Sequence, residues 1–175
     1  MSLEEAEALI GLYFKTYPLI QQYISDSHSM ALLNHFVVNP FGLRKQQFGT
    51  LPCYKGTAVY NAAKRNSQNV QIQGPTSMLG LYAFAETNKA IKPLGAKLTC
   101  SVYDSIEIEC PINRASEVLE LAFYNMDDKP VETFDWLDLP IGVEAELGTT
   151  WGDLVVVHRG STQQEIESVL AKLKS

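Results

Sequence analysis

Cysteine and histidine are scarce in this sequence, and long apolar runs are missing from it. Its three cysteines, Cys53, Cys100 and Cys110, show no C-x-x-C spacing, which argues against a thiolate metal site or a disulfide framework. They read as reduced core residues. His28, His35 and His158 are too scattered to suggest a zinc centre. No apolar stretch approaches the ~20 residues of a membrane span. The opening MSLEEAEALIGLYF is acidic where a secretory signal is basic, so no membrane partner is expected and the expected compartment is the cytoplasm. Repeats and low-complexity tracts are also missing.

What is present suits one folded unit: 175 residues, 46% hydrophobic and 19% charged, enough to build a core. The net charge of −6 conceals an asymmetry. From Phe41 to Cys100 eight basic residues face the single acid Glu86, a net of +7, whereas from Ser101 to Gly160 thirteen acids face three bases, a net of −10. A basic block inside an acidic protein points to a surface for a polyanion. The competing reading is a solvated face that happens to be rich in lysine.

Hydrophobic spacing predicts two helices divided at Tyr17-Pro18, the first placing Ala8, Leu9, Leu12 and Tyr13 on one face. FVVNPFGLRKQQFGTLPCYKG is crowded with turn signals and reads as a loop or small hairpin. A helix is expected from Thr57 to about Val70, and a second one starting at Pro75, because proline suits a first helical position. NRASEVLELAFYNM places Ala115, Val118, Leu119 and Ala122 on one helical face. LPIGVEAELGTTWG alternates as a strand with Ile141, Val143, Ala145 and Leu147 inward. The tail is a short apolar strand followed by an amphipathic helix capped near Ser161 or Thr162. The fold class is α+β, helices on a small antiparallel sheet, with Trp136 and Trp151 as core or interface aromatics.

The stretch KLTCSVYDSIEIECP raises a problem. Leu98, Cys100, Val102, Ile106, Ile108 and Cys110 share one parity, so a continuous strand would point them all to one face and Asp104 with them. A lone ionised carboxylate there is costly. Either the strand is continuous and the aspartate is held by partners, or two strands meet at a turn over Tyr103-Asp104-Ser105. Asp and Ser form turns, which favours the hairpin. Asp104 then stands at its tip, where a cation or ligand can reach it; an ordinary hairpin with a polar tip is the plainer alternative. Glu107 and Glu109, of the opposite parity, are expected in solvent or supporting the site from behind.

Several segments, in order, resemble the C-terminal part of family A DNA polymerases, the DNA polymerase I family. YFKTYP resembles the family's YF-x-x-YP, and GLRKQQFGTLP is a loose version of its G-R-R-x-x-x-LP loop. AAKRNSQNVQIQG resembles its R-x-x-x-N-x-x-x-QG segment, with Arg65, Asn69 and Gln73 in register. LTCSVYDSIEIECP sits where the family carries its third motif, with Asp104 at the catalytic aspartate. DLPIGVEAELGTTWGD resembles the closing VPL-x-V-x-x-x-x-G-x-x-W strand. Two positions depart from the pattern: Tyr103 stands for the family's histidine and Ser105 for its glutamate. Such divergence suits a bacteriophage-encoded polymerase, which would act in the host cytoplasm.

The resemblance implies template-directed DNA synthesis with primer-template DNA and a deoxynucleoside triphosphate as partners, and two Mg²⁺ ions in the complete enzyme. Asp104 would be a catalytic metal ligand and Tyr103 would touch the primer end. Arg65, Asn69 and Gln73 would line the minor groove near the primer terminus. Arg44, Lys45, Lys55 and Lys64 would hold duplex phosphates. Residues 1–56 would be fingers-side helices and loop, 57–151 palm, and 152–175 a C-terminal extension. The family's first motif, with the second metal-binding aspartate, and its nucleotide-binding helix have no counterpart here. The upstream polymerase portion is therefore a further expected partner, and the chain alone is expected to be inactive. The alternatives are a non-catalytic primer-template-binding module derived from a polymerase and, from another class, a metal-dependent hydrolase or structural domain.

Overall fold

The computed structural model describes residues 1–173. Its contacts divide the chain into two compact units, residues 1–75 and 76–175.

The first unit opens with α1 (Leu3–Thr16) and α2 (Pro18–Asn34). Ser2 and Glu5 form a capping box at the start of α1, and Pro18 occupies the first turn of α2, where its missing N–H costs nothing. A three-residue hairpin follows, β1 (Phe36–Val38) against β2 (Arg44–Gln46). Two 3₁₀ turns, Phe48–Thr50 and Pro52–Tyr54, then lead to α3 (Ala58–Ile91). Gly49 is obligatory here, because a Cβ would stand 2.9 Å from Ala63 Cβ and 3.0 Å from the Val59 carbonyl. Much of what this unit buries is polar, including Ser27, Asn39, Gln47, Thr50 and Ser67, alongside Ala31 and Val37.

The expected break before Pro75 does not occur: α3 is one helix with the proline inside it. A helix interior can absorb one missing N–H donor where packing on both sides holds it. Pro75 also marks the boundary between the two units.

The second unit contains the remainder of α3, the hairpin β3 (Lys97–Val102) and β4 (Ser105–Glu109), then α4 (Ala115–Phe123) and α5 (Lys129–Thr133). A π turn at Tyr124–Asp128 joins α4 to α5 and widens the helix just ahead of Pro130, whose ring would otherwise collide with a carbonyl of the preceding turn. The hairpin β5 (Ala145–Gly148) and β6 (Leu154–Val157) and the helix α6 (Gln163–Leu173) complete it. Gly148 is also required, since a Cβ would lie 2.1 Å from the Asp153 carbonyl oxygen. Thr162 caps α6 through a reciprocal exchange with Glu165.

Two apolar clusters form this unit's core. Ala115, Leu119 and Phe123 of α4 pack with Val157 of β6 and Ile166 and Leu170 of α6. Ile91, Ala96 and Val118 pack with Leu98 and Ile108 of the β3–β4 hairpin. Each fully buried aliphatic side chain contributes about 1.5–3 kcal/mol, so Val157, Ile166 and Leu170, after residue 151, contribute to this core.

Other expectations are corrected. A bulge between Leu98 and Cys100 changes the register, setting Cys100 opposite Glu107 and Val102 opposite Ser105; the shared parity breaks and Val102 is 41% exposed. The cysteines are free but not fully buried: Cys53 is exposed, while Cys100 and Cys110 are half-buried. Cys110 touches both clusters, and burial pushes its thiol up. Ile141 lies before β5 and is exposed, whereas Val143, Ala145 and Leu147 do face the core. Phe123, not Ala122, completes the buried face of α4. Trp136 stacks on Phe134, and both tryptophans are exposed.

Candidate functional site

In the second unit the hairpin resolves the question of Asp104. Val102 pairs with Ser105, leaving Tyr103 and Asp104 as a two-residue turn. Leu98 and Ile108 anchor the base of the hairpin in the core, and Lys97 meets Glu109 at 2.8 Å across its open end. The apex is braced by the Ser105 hydroxyl, which donates to the Val102 carbonyl at 2.9 Å. Asp104 is exposed, and its carboxylate enters no hydrogen bond or ion pair among the described residues.

Tyr103 has φ +56°, a left-handed conformation uncommon for a bulky residue, and its side chain is entirely exposed. Holding it there costs about 1–2 kcal/mol. The structure thus spends local strain on the residue that presents Asp104, a pattern concentrated at functional sites. The brace from Ser105 was not anticipated; the signal available was serine's habit of bonding nearby backbone in turns.

The remaining candidates belong to the first unit. Arg65, Asn69 and Gln73 all lie on α3, four residues apart, and all are exposed. Because the helix runs through Pro75, Gln73 shares a face with the other two. Lys64, half-buried on the same helix, raises the potential around His28 of α2. Burial first, and Lys64 second, lower the His28 pKa, so its imidazole is neutral near pH 7.

Arg44 and Lys45 project from β2, with the Arg44 guanidinium 3.7 Å from the centre of the Phe36 ring. Lys55 is exposed at the end of the second 3₁₀ turn. None of Arg44, Lys45, Lys55, Lys64 and Arg65 enters an ion pair among the described residues. By contrast, several cations of the acid-rich second unit are paired: Lys129 with Glu86, Arg159 with Asp128, Arg114 with Glu117. Uncompensated positive charge on a surface attracts polyanions.

For a divalent cation the donor chemistry of Asp104 is suitable, a hard carboxylate oxygen open to solvent. One carboxylate is not a site, and no group of three or more His, Cys, Asp or Glu residues able to hold a metal occurs among the described residues. No described helix is long and apolar enough to cross a membrane.

Comparison with known proteins gives these parts a common context. The solved POL domain of Pol1 from M. smegmatis, in complex with DNA primer-template and dNTP, superposes with a TM-score of 0.68 at 24% identity, over 81% of this chain and 24% of that one; this likeness shows the fold. DNA polymerase I of Deinococcus radiodurans is 28% identical over 149 residues, covering 85% of this chain and 15% of the relative. The thermostable DNA polymerase I of Thermus thermophilus is 31% identical over 149 residues, with 85% and 17% covered. DNA polymerase theta of Caenorhabditis elegans is 26% identical over 158 residues, with 88% and 9% covered. The chain thus spans less than a fifth of the length of these relatives. The family profile itself matches residues 1–153, and on that match the chain belongs to DNA polymerase family A.

Proposed function

We propose that this chain is the part of a DNA polymerase that presents one catalytic carboxylate and grips the primer-template, and that it acts in template-directed nucleotidyl transfer together with further polymerase sequence. The observation that carries the reading is Asp104, exposed and unpaired at the apex of a braced hairpin, at the position where the family's third motif has its aspartate.

In this reading Asp104 is one of two carboxylates that hold Mg²⁺, the second coming from outside this sequence. Bound Mg²⁺ supplies activation of the primer 3′-hydroxyl and neutralisation of the triphosphate. The chain's own residues do the positioning. Tyr103 meets the primer end, and Arg65, Asn69 and Gln73 line the minor groove, where A·T and T·A offer the same acceptors and pairing can be sensed without reading sequence. Arg44, Lys45, Lys55 and Lys64 hold phosphates. Residues 1–56 then correspond to the fingers side and 57–151 to the palm. The need for further polymerase sequence is supported by α1, which buries none of its residues and leaves Leu9, Ile10, Leu12 and Tyr13 exposed. An apolar surface of this kind normally has a partner.

The test has two arms. The isolated chain should bind labelled primer-template at low salt, with log K falling linearly against log salt, and Lys45→Ala or Lys55→Ala should each reduce the slope by about one. In the polymerase that carries this segment, Asp104→Ala should lower primer extension about 10²-fold or more without weakening DNA binding. Undiminished extension would remove Asp104 from catalysis. The replacement of the family's His and Glu by Tyr103 and Ser105 favours one second reading, a primer-template-binding module without chemistry. Its signature would be DNA binding indifferent to Mg²⁺, with extension unchanged by Asp104→Ala.

A further inference from the structure

Phe48 is 66% exposed in a segment that is otherwise firmly held. Its neighbour Gln47 is 3% exposed and donates its backbone N–H to the His35 carbonyl at 2.7 Å. Thr50 is also 3% exposed, its hydroxyl 3.0 Å from the Ala31 carbonyl and 2.7 Å from that of Gln47. Between them Gly49 is pressed against α3 so closely that no side chain fits. Three residues of four are fixed, and the fourth is a large aromatic ring directed at solvent. Burying such a ring elsewhere would be worth a few kcal/mol, yet the wedged backbone at Gly49 prevents the turn from swinging it inward.

The charge carried by the chain on either side of Phe48 is of one sign. No acidic residue occurs from Ser27 to Ala85, while Arg44 and Lys45 precede Phe48 and Lys55, Lys64 and Arg65 follow it. A rigid exposed aromatic among unpaired cations is the chemistry of single-strand binding: the ring stacks on a base, whose π face every nucleotide has, and the cations track the phosphates. We propose that Phe48 is a stacking platform for an unpaired nucleotide of single-stranded DNA. The inference rests on the polymerase reading for the identity of that strand, which would be template not yet copied.

The experiment uses the full chain, with two fluorescein-labelled DNAs that share one duplex: one blunt, the other with a single-stranded template overhang. Wild type is compared with Phe48→Ala, Phe48→Leu and Phe48→Trp. Leucine keeps the apolar bulk without the aromatic face, and unfolding midpoints verify that the variants fold. The overhang should tighten wild-type binding. Alanine and leucine should weaken overhang binding roughly five- to 150-fold, the range for one lost stack, tryptophan should restore it, and blunt-duplex binding should be unchanged. The salt slope should be the same in all four proteins, because no charge is removed. Equal affinity of wild type and Phe48→Ala for the overhang DNA, or a leucine variant as tight as the tryptophan one, would overturn the platform and leave the polymerase reading intact. Failure of the wild type to bind either DNA at low salt would overturn both.

Discussion

Ser105 donates its hydroxyl to the carbonyl of Val102 at 2.9 Å, closing the two-residue turn on which Asp104 stands. The same two residues are the last paired positions of β3 and β4, so the serine braces the hairpin where the ladder ends. Ser105→Ala should therefore loosen the apex with little effect on the fold. About 0.5–1.5 kcal/mol is expected for a hydrogen bond, at the lower end for an exposed one. Hydrogen exchange should accelerate at residues 103–106 and not at Leu98 or Ile108; uniform acceleration along the hairpin would deny the bond its local role.

Tyr103 gives a result of opposite sign. Its φ of +56° and fully exposed ring mean that the native state pays for the backbone and recovers nothing from burial. Tyr103→Gly removes about 1–2 kcal/mol of steric strain and adds about 0.5–1 kcal/mol of lost chain entropy. The urea midpoint should rise slightly, by the equivalent of about 1 kcal/mol or less. If Tyr103 meets the primer end as proposed, the same variant should extend primers more slowly in the complete polymerase. A variant both less stable and fully active would assign Tyr103 to structure.

Two glycines of the β5–β6 hairpin make a matched pair. A Cβ at Gly148 would stand 2.1 Å from the Asp153 carbonyl oxygen, a backbone atom with little room to move, whereas at Gly152 the nearest atom is Thr150 Oγ1 at 3.9 Å. Gly148→Ala should destabilise by about 1–3 kcal/mol or more, the range for forced overpacking, and Gly152→Ala should change stability by no more than about 0.5 kcal/mol. Denaturant unfolding monitored by tryptophan emission suits both, since Trp151 lies in the same turn. Similar losses in the two variants would mean that the close approach at Gly148 relaxes.

The hairpin that carries Asp104 was legible because its apex has the residue types that bond their own backbone, whereas an aspartate in an apolar strand would have needed buried partners. Arg65 and Asn69 were legible as neighbours on one face because four-residue spacing survives in any helix, whereas Gln73 joins them only because α3 continues past the expected end near Val70. Pro75 misled for a physical reason: in sequence it stops a helix, but α3 continues through it, and only packing decides between the two. The bulge at Thr99 was invisible, since an extra residue leaves no mark on composition yet reverses every facing after it. Phe48 stood in plain view among lysines and arginines, but its exposure depends on Gly49 being pressed against Ala63 and Val59. That contact joins residues that the sequence alone does not bring together.

The second unit should also respond to acid through one side chain. Glu86 on α3 receives Lys129 of α5 at 2.5 Å, and Lys89 one turn along its own helix. Hydrogen bonds from Lys129 first and Lys89 second hold its carboxyl down at about 2, against an ordinary value of 4.5. A carboxylate whose folded pKa is depressed binds protons more readily when unfolded, so its contribution is complete above the ordinary value and is lost as pH falls from about 4.5 towards 2. The pair also ties α3 to the helix beyond the π turn, since Lys129 touches Asn125, whose amide in turn donates to the Leu121 carbonyl at 2.7 Å. Glu86→Gln removes the titrating group and keeps the shape. The variant should be less stable than wild type at pH 7, and the difference should shrink as pH drops below 4.5, the two melting curves converging near pH 2. Asp128, held below its usual range by Arg159, and Glu165, held down by Thr162, contribute alike in both proteins. The difference between variant and wild type therefore isolates Glu86. A gap that stays constant from pH 7 to pH 2 would show that the Lys129 contact carries no protonation-linked stability.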